Sequence, residues 1–444
     1  MELRDLIVTP IVLFIVYGLA YMIRPRVTDA INRRYFFPAL TVRIIGALAV
    51  GFLYQYYYQG GDTFNFHTHG SRHIWEAFME DSSKGFKLLL GDYQDPRNIY
   101  EYTSKITFIT DPSSFAIVRL AAWIDLITFS TYSATAVVFA VIGFAGAWLF
   151  FITFYRIAPV HHGRIAVATL FVPSVVFWGS GLLKDTITLS CIGLAIYCIY
   201  RIFLQKEYSA TFFILLVVAL YGLYLIKVYI LLTFLPAAIV WIFLYNYSHI
   251  RPLVLKIILF PFVLTLTLAS AYFAMLKAGE DNPKYSLKAI AQTAQITAYD
   301  IRYWTGRDAG SGYTLGELDG SWQSMINLAP QAINVSLFRP YFWEVRNPLM
   351  LLSAMESFAL LILTCYVLFT ARLRVFRVIA NPHILFCFIF SIAFAFAVGV
   401  STFNFGTLTR YKIPLLPFYL LTLILIMDYS NKERKVDKLD LTEY

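Results

Sequence analysis

The sequence predicts an all-α membrane protein that crosses the bilayer about eleven times. Of its 444 residues, 59% are hydrophobic and 14% are charged, whereas a soluble globular chain carries about 25% charged residues. The mean hydropathy is +0.64. A soluble core of this size has no room for so much apolar surface, so lipid must solvate most of the chain.

Eleven apolar stretches reach the length of a span, for which about 20 residues are needed and about 17–25 are usual. They lie at 6–23, 44–58, 132–155, 165–182, 186–204, 210–226, 228–245, 253–276, 349–370, 383–401 and 413–427. The first is expected to remain as an anchor, because its amino end lacks positive charge and no small-x-small cleavage site precedes Arg24.

Basic residues set the predicted orientation. Half of the 36 lysines and arginines are packed into alternate short loops and the carboxyl-terminal tail. These segments are 24–43, 156–164, 201–206, 251–256, 372–377 and 432–438. The positive-inside rule puts them in the cytoplasm, with the amino terminus outside and the carboxyl terminus inside. This pattern explains the net charge of +9 without nucleic-acid binding, and it is typical of a bacterial inner membrane protein.

The predicted organisation is a single integral membrane domain over 1–444. Two longer outer loops, at 59–112 and 277–348, are expected to carry interfacial helices, and a cytoplasmic tail covers 429–444. The apolar stretch 113–130 contains Arg119 and Asp125. We interpret it as an interfacial or re-entrant segment, because one more full span would break the odd number that the two termini require.

Five separate stretches deliver charged residues to the outer level of the membrane. The residues are Asp62, Lys184, Asp185, Lys227, Arg339, Glu344, Arg410 and Lys412. Ionisable groups near the hydrocarbon boundary are costly, and they usually face a cavity, pair with one another or bind a ligand. Their convergence on one face predicts a functional site there.

Each of these residues also has a purely structural interpretation. Asp62 follows two glycines and suits a turn or a helix cap. Lys184 with Asp185 suits a snorkelling interfacial pair, and Arg339 with Glu344 suits a salt bridge that anchors the second outer loop. The same interpretation places Lys227 at an outer turn, and Arg410 and Lys412 at the headgroups. Alternatively, two fixed cations beside a cavity suit a phosphate group.

No metal site or cofactor is predicted. His67, His69 and His73 lie close together, but this spacing in a loop is common by chance. The participation of a divalent cation in the site is left open. The sequence contains no phosphate-binding Gly-rich loop with Lys-Ser/Thr, no GxSxG and no HExxH.

An acidic residue in a long outer loop soon after an early span resembles the C-type membrane glycosyltransferases. Asp62 in Gly-Gly-Asp-Thr matches their first-outer-loop acidic residue, and the Arg-Tyr-Lys-x-Pro stretch at 410–414 is similar to a late outer basic motif. The stretches at 173–185 and 338–344 resemble bacterial envelope proteins found near O-antigen polymerases. In contrast to the family, which commonly begins inside the cell, this chain has a leading helix.

The resemblance implies transfer or polymerisation of sugars at the outer face of the membrane during envelope glycan assembly. The donor would be linked to a polyprenyl phosphate or diphosphate within the membrane lipid, and the acceptor would be a glycan or a protein. Asp62 would act as the base, and Glu344 as an orienting or second acidic group. The residues that bind the phosphate would be Lys184, Arg339, Arg410 and Lys412. Asp185 would be a carboxylate that orients Lys184, and Lys227 would contact the ligand. The alternatives are a transporter or flippase of a lipid-linked or anionic substrate, and a non-catalytic membrane scaffold.

Overall fold

The structure is a computed structural model, which describes residues 2–91, 96–247 and 321–440, together with 265, 292, 295, 296, 299, 311–316 and 319. Within these residues the chain is helical and forms no β-strand. The chain divides into two compact units. Unit 1 comprises Met1–Cys198 and Tyr208–Lys227, and unit 2 comprises Ile199–Glu207 and Val228–Tyr444.

Unit 1 contains both long and short helices. Its helices are α1 (Leu3–Val27), α2 (Arg33–Phe52), α3 (Asp62–Phe66), α4 (Arg72–Glu80), α5 (Ser82–Leu90), α6 (Pro96–Thr103), α7 (Pro112–Thr128), α8 (Tyr132–Ile157), α9 (His162–Leu170), α10 (Pro173–Trp178), α11 (Lys184–Ile199) and the first part of α12 (Ala210–Tyr247). A π-helical turn extends α2 through Leu53–Tyr57, and another joins α3 to α4 through His67–Ser71.

Unit 2 contains the second part of α12 and the helices of the carboxyl-terminal region. They are α13 (Trp322–Asn327), α14 (Ala329–Phe338), α15 (Pro348–Ala371), α16 (Arg374–Val378), α17 (Pro382–Ser401), α18 (Phe405–Tyr411) and α19 (Leu415–Asp440). A 3-10 turn at Phe342–Glu344 precedes α15, and a π-helical turn at Tyr200–Leu204 continues α11.

Seven helices of the described chain are long and apolar enough to cross a membrane. They are α1, α2 with its extension, α8, α11 with its extension, α12, α15 and α17. The pair α18 and α19, bent by 65° at a short break, makes an eighth if it is counted as one span. These helices confirm the predicted all-α class and show that the chain has several helices long and apolar enough to span a membrane.

One predicted span has a different form in the structure, and another cannot be compared. The stretch 165–182 forms α9 and α10 rather than one helix. Pro173 begins α10 and has no backbone N–H to continue the ladder from α9. The stretches 210–226 and 228–245 form the two parts of α12, because the backbone leaves the helical region between them at Lys227 (φ −145°, ψ 79°). The predicted span 253–276 lies outside the described residues.

Close glycine contacts fix the part of unit 1 that leads into α11. A Cβ atom on Gly46 of α2 would lie 2.8 Å from the carbonyl oxygen of Val176, and one on Gly143 of α8 would lie 2.8 Å from that of Gly179. A Cβ atom on Gly193 would come within 2.0 Å of the Gly146 carbonyl oxygen. The backbone of α2 therefore packs directly on α10, and that of α8 packs directly on α11 and on the turn before Lys184.

The first outer loop, 59–112, folds into α3 to α6 where it is described, and residues 92–95 lie outside the described chain. The stretch 113–130 forms α7, a 17-residue helix that packs on α4 and α5 and on the turn at His67–Ser71. Most of the second predicted loop, 277–348, lies outside the described residues, and its described end carries α13 and α14.

Candidate functional site

The first cluster of charged residues, in unit 1, begins at Asp111, which caps α7. Its carboxylate accepts the backbone N–H groups of the first turn, as expected of an aspartate before a helix. The Lys184 ammonium donates to Asp111 Oδ2 over 3.1 Å and to Ser113 Oγ over 2.7 Å. Lys184 is therefore held by the amino end of α7, whereas its chain neighbour Asp185 pairs with another helix.

Asp185 forms a buried ion pair with Lys227. The Asp185 side chain is fully buried, that of Lys227 is 9% exposed, and the ammonium donates to Asp185 Oδ1. Lys227 occupies the non-helical position in α12, where the interrupted ladder lets its side chain leave the helix surface. The sequence marked both residues as candidates, but it paired Asp185 with Lys184 instead.

Asp62 is the first residue of α3 and is half-buried. It follows Gly60 and Gly61, whose φ angles of 137° and 120° belong to the region that favours glycine. A Cβ atom on Gly61 would also lie 2.8 Å from the Tyr54 ring. The turn therefore requires glycine at both positions, and it sets Asp62 near enough to Lys184 for an electrostatic interaction.

The structure thus brings four predicted site residues, Asp62, Lys184, Asp185 and Lys227, into one charged cluster in unit 1. It adds Asp111, which the sequence analysis missed although the order Asp-Pro-Ser-Ser is a helix-start signal. With three carboxylates and two ammonium groups, this cluster carries a net formal charge of −1. A phosphate at Lys184 would therefore have to compete with Asp111.

The Asp111 carboxyl group has a pKa of about 2, below its ordinary value of 3.8. Burial alone would raise this pKa, but hydrogen bonds from Ser114 and Ser113 and the positive charge of Lys184 outweigh it. A depressed pKa in the folded state adds stability above about pH 4, and that stability disappears as the pH falls towards 2.

We therefore expect Asp111→Asn to be less stable than the wild type at pH 6 and to converge with it between pH 4 and pH 2. Because the Asp111 side chain is 48% exposed, the difference at pH 6 should stay within about 1 kcal/mol. Thermal unfolding in detergent, measured for both proteins across this range, checks the prediction. A difference that is the same at pH 2.5 and pH 6 would contradict it.

The second cluster, in unit 2, is built around Arg339. Its Nε atom donates to both carboxylate oxygens of Glu344 over 3.1 Å each, and Nη2 donates to Oε1. The guanidinium carbon lies 5.4 Å from the ring centroids of Tyr313 and Phe405. Arginine suits this position because its flat fork can pair with a carboxylate and stack on aromatic rings at once.

Glu344 also accepts the backbone N–H of Tyr341 over 2.8 Å. Burial alone would raise the pKa of Glu344, but the hydrogen bonds from Arg339 and Tyr341 lower it below its ordinary value. Glu344 is therefore an ionised acceptor that fixes Arg339 in place. The salt bridge that the sequence analysis left as one of two interpretations is present in the structure.

Lys412 lies in the break between α18 and α19 and is 1% exposed. Its ammonium donates to Ser357 Oγ over 2.9 Å and to the Arg339 carbonyl oxygen over 3.4 Å. The ammonium is thus buried behind Arg339, with neutral oxygens as hydrogen-bond acceptors. Arg410, two residues earlier, is half-buried in the last turn of α18.

Arg43 is a buried cation that the sequence analysis placed in a cytoplasmic loop. The structure places it inside α2, ten residues after the start of the helix, with 2% of its surface exposed. Its Nη1 atom donates to the Gly179 carbonyl oxygen over 2.6 Å. Among the described residues no carboxylate lies within ion-pair distance of Arg43, so a backbone carbonyl of the turn after α10 supports its charge.

The three histidines of the first outer loop do not converge. His67 is buried beside Asp125, His73 pairs with Glu76, and His69 is exposed. In the described part of the chain, no three histidine, cysteine or acidic side chains are grouped so as to hold a metal ion.

Comparison of the chain with protein-family models, with curated proteins and with solved structures finds no match in any of the three.

Proposed function

We propose that this chain is a membrane glycosyltransferase that transfers or polymerises sugars at the outer face of a bacterial inner membrane. Its donor would be a sugar linked to a polyprenyl phosphate or diphosphate. The main support is the arrangement of Asp62, a half-buried carboxylate set beside two glycines and within electrostatic reach of Lys184. Such a transfer needs a base and a cation held near each other in a partly desolvated place.

The proposed reaction needs few groups from the protein, because the phosphate of the donor is already a good leaving group. The oxygen of the acceptor hydroxyl attacks the anomeric carbon of the sugar. The bond between that carbon and the phosphate oxygen breaks, and its electron pair stays on the phosphate. The hydroxyl proton passes to the Asp62 carboxylate, which acts as general base. Lys184 stabilises the charge that develops on the phosphate.

The remaining candidates are assigned more indirect roles. The buried pair of Asp185 and Lys227 holds the amino end of α11 and thereby positions Lys184. In unit 2, Arg339 and Arg410 are proposed as phosphate ligands, with Glu344 orienting Arg339. Lys412 is buried and its ammonium donates to the Arg339 carbonyl oxygen, so it is assigned the role of positioning Arg339.

The proposal includes the predicted topology of eleven spans with the amino terminus outside. The eight spans recognised by length and composition become eleven under three conditions. The two parts of α12 must cross separately, α9 with α10 must form a broken span, and residues 253–276 must form another. The basic segments then face the cytoplasm.

Asp62→Asn is expected to reduce sugar transfer by about 100-fold or more, because a general base typically contributes 10²–10⁴-fold. The assay uses purified protein in liposomes with radiolabelled hexoses on synthetic polyprenyl phosphate and diphosphate carriers. Release of the carrier phosphate and labelling of a glycan acceptor are both measured. Asp81→Asn, the same change at the exposed cap of α5, is the matched control and should keep full activity.

Full activity in a well-folded Asp62→Asn protein would rule out Asp62 as the base. If the wild type releases no phosphate from any of these carriers, the transferase proposal itself is contradicted. Separate variants of Lys184 and Arg339 test the cations of each unit independently.

A transporter or flippase of a lipid-linked or anionic substrate is the second candidate. It is favoured by two buried lysines that lie at helix breaks, Lys227 in α12 and Lys412 between α18 and α19. Broken helices with charged groups are typical of substrate sites in transporters. Movement of the labelled carrier across the liposome membrane without phosphate release would select this function over transfer.

A further inference from the structure

A buried polar chamber in unit 1 surrounds Asp125, which belongs to neither charged cluster. Asp125 lies near the carboxyl end of α7 and is fully buried. Ser71 Oγ donates to its Oδ2, and Thr135 Oγ1 donates to its Oδ1, each over 2.6 Å. Thr128 Oγ1 lies 2.7 Å from Thr135 Oγ1. With His67, these residues form what we call the Asp125 chamber, where α7, α8 and the turn at His67–Ser71 meet.

Buried polar atoms without a hydrogen-bond partner concentrate in and beside this chamber. Both ring nitrogens of His67 are in this state, although Nε2 is 3.5 Å from Asp125 Oδ1. The hydroxyls of Ser130 and Thr131, in the turn between α7 and α8, are in the same state. These four atoms are more than half of the seven found among the described residues. Buried polar atoms nearly always have partners, so this concentration points to a bound species.

The charge balance of the chamber also indicates a bound species, and it indicates a positively charged one. Among the described residues no lysine or arginine lies within ion-pair distance of Asp125, and the side chain that does lie within this distance is His67. An ionised carboxylate without a compensating charge is strongly disfavoured in a dry interior. One positive charge balances Asp125, and because the chamber holds one carboxylate, that charge should be monovalent.

The backbone beside the chamber is held in a costly conformation. Phe129 and Ser130 have φ angles of 52° and 50°, in the left-handed region that bulky residues rarely adopt. Such residues persist where the surroundings impose them, and they cluster at ligand-binding places. The turn is joined to Asp125 through the main chain, since the Ser130 N–H donates to the Asp125 carbonyl oxygen over 3.1 Å.

We propose that the Asp125 chamber binds one exchangeable monovalent cation, supplied either as a proton shared with His67 or as a sodium ion held by the carboxylate and the surrounding hydroxyl oxygens. Both sources share one chemistry, a single positive charge bound at Asp125. Carboxylate and hydroxyl oxygens are hard ligands, which suit an alkali cation as they suit a proton. This inference does not depend on the proposed function.

Other titratable groups near the chamber are engaged elsewhere. On α8, Tyr132 OH is bonded to Thr63 Oγ1 over 2.8 Å. On α1, Asp5 accepts the N–H and hydroxyl of Ser133. The charged groups of the neighbouring helices form their own contacts, which are Arg72 with Glu2, His73 with Glu76, Lys84 with Glu80, and Arg119 with the Leu90 carbonyl oxygen. Asp125 and His67 are therefore the groups to vary.

The test is thermal unfolding of the full-length protein in detergent at constant ionic strength. Sodium chloride is compared with N-methyl-D-glucamine chloride, and each is measured from pH 5 to pH 8. The variants are Asp125→Asn, which keeps the shape and removes the charge, and His67→Gln. Asp81→Asn at the exposed cap of α5 is the matched control. A ligand that binds the folded state alone raises the Tm with its concentration.

If sodium is the ligand, saturating sodium raises the Tm of the wild type and of Asp81→Asn by about 2 °C or more, and leaves Asp125→Asn unchanged. If a proton is the ligand, sodium has no effect. The Tm difference between the wild type and Asp125→Asn then varies with pH, and His67→Gln alters that variation. A sodium effect that persists in Asp125→Asn, or a difference that depends on neither sodium nor pH, overturns the proposal.

Should Asp125→Asn not accumulate, Thr135→Val replaces it, because this change removes one hydroxyl oxygen and keeps the size of the side chain. Binding of radioactive sodium to the wild type at pH 8 gives an additional measurement that needs no variant. The proposal is overturned if the wild type binds no sodium and its Tm is also independent of pH.

Discussion

Replacing Lys227 with methionine is expected to lower the free energy of unfolding by about 3–5 kcal/mol. The substitution keeps most of the length of the side chain but leaves the Asp185 carboxylate buried without its ammonium partner. Removing one partner of a buried ion pair is costly mainly because an uncompensated charge remains in a place of low dielectric constant. Denaturant or thermal unfolding of the purified protein in detergent measures the loss.

The double variant Asp185→Asn/Lys227→Met distinguishes the cost of the orphaned charge from the value of the pair. Because replacement of both partners by neutral groups is often nearly neutral, the double variant should recover most of the stability lost in Lys227→Met. Lys105→Met is the matched control. It removes a lysine that is 50% exposed and pairs with Glu101, itself 68% exposed, one turn away, so it should cost less than about 1 kcal/mol.

If Lys227→Met were as mild as Lys105→Met, the ion pair of Lys227 with Asp185 would contribute little to stability. If the double variant were as unstable as Lys227→Met, the loss would come from the interaction between the two partners and not from the unpaired carboxylate.

Lys227 also shows what the sequence could and could not predict about the site. A lysine that interrupts an apolar run stands out in any sequence, and its selection as a candidate needed no structure. Its partner could not be predicted in this way, because the pairing joins α12 to α11 across 42 positions. Lys184 and Asp185 were paired with each other on proximity in the chain, yet adjacent residues on a helix point in different directions.

The fold class followed from composition, whereas the form of single spans depended on local chemistry. Apolar stretches of the right length became helices at 6–23, 132–155, 349–370 and 383–401. The stretch 165–182 is equally apolar, but Pro173 divides it. In α2 the predicted span began at residue 44, and Arg43 was counted with the cytoplasmic basic residues. The helix starts at Arg33 and includes Arg43, whose buried guanidinium donates a hydrogen bond to the Gly179 carbonyl oxygen.

Three of the candidate residues and Arg43 share a physical feature that their sequence neighbours do not reveal. Lys184, Lys227, Lys412 and Arg43 each donate to a group on a different part of the chain, and three of these acceptors include a backbone carbonyl or a hydroxyl oxygen. A carboxylate can be sought in a sequence by its residue type, but a carbonyl oxygen cannot, because every residue has one. Backbone acceptors are therefore the part of such sites that sequence reasoning predicts least.

Arg339→Lys is expected to lower the free energy of unfolding by about 2–3 kcal/mol, although it keeps the positive charge. Lysine cannot reproduce the paired contacts of the guanidinium with both Glu344 oxygens, nor its position over the rings of Tyr313 and Phe405. Both side chains of the ion pair are less than 20% exposed, so solvent screens their interaction only in part.

Arg346→Lys provides the matched control, because Arg346 is exposed and lies seven residues further along the chain. The change there should stay within about 0.5 kcal/mol.

Unfolding of the two variants and the wild type is compared at pH 7 and at pH 4. Since the pKa of Glu344 is lowered in the folded state, its contribution is present above its ordinary pKa of 4.5 and is lost as the pH falls below that value. The penalty of Arg339→Lys should therefore shrink in acid. A penalty equal to that of Arg346→Lys would show that Arg339 acts as a simple positive charge, and a phosphate-binding role would then need no arginine at this position.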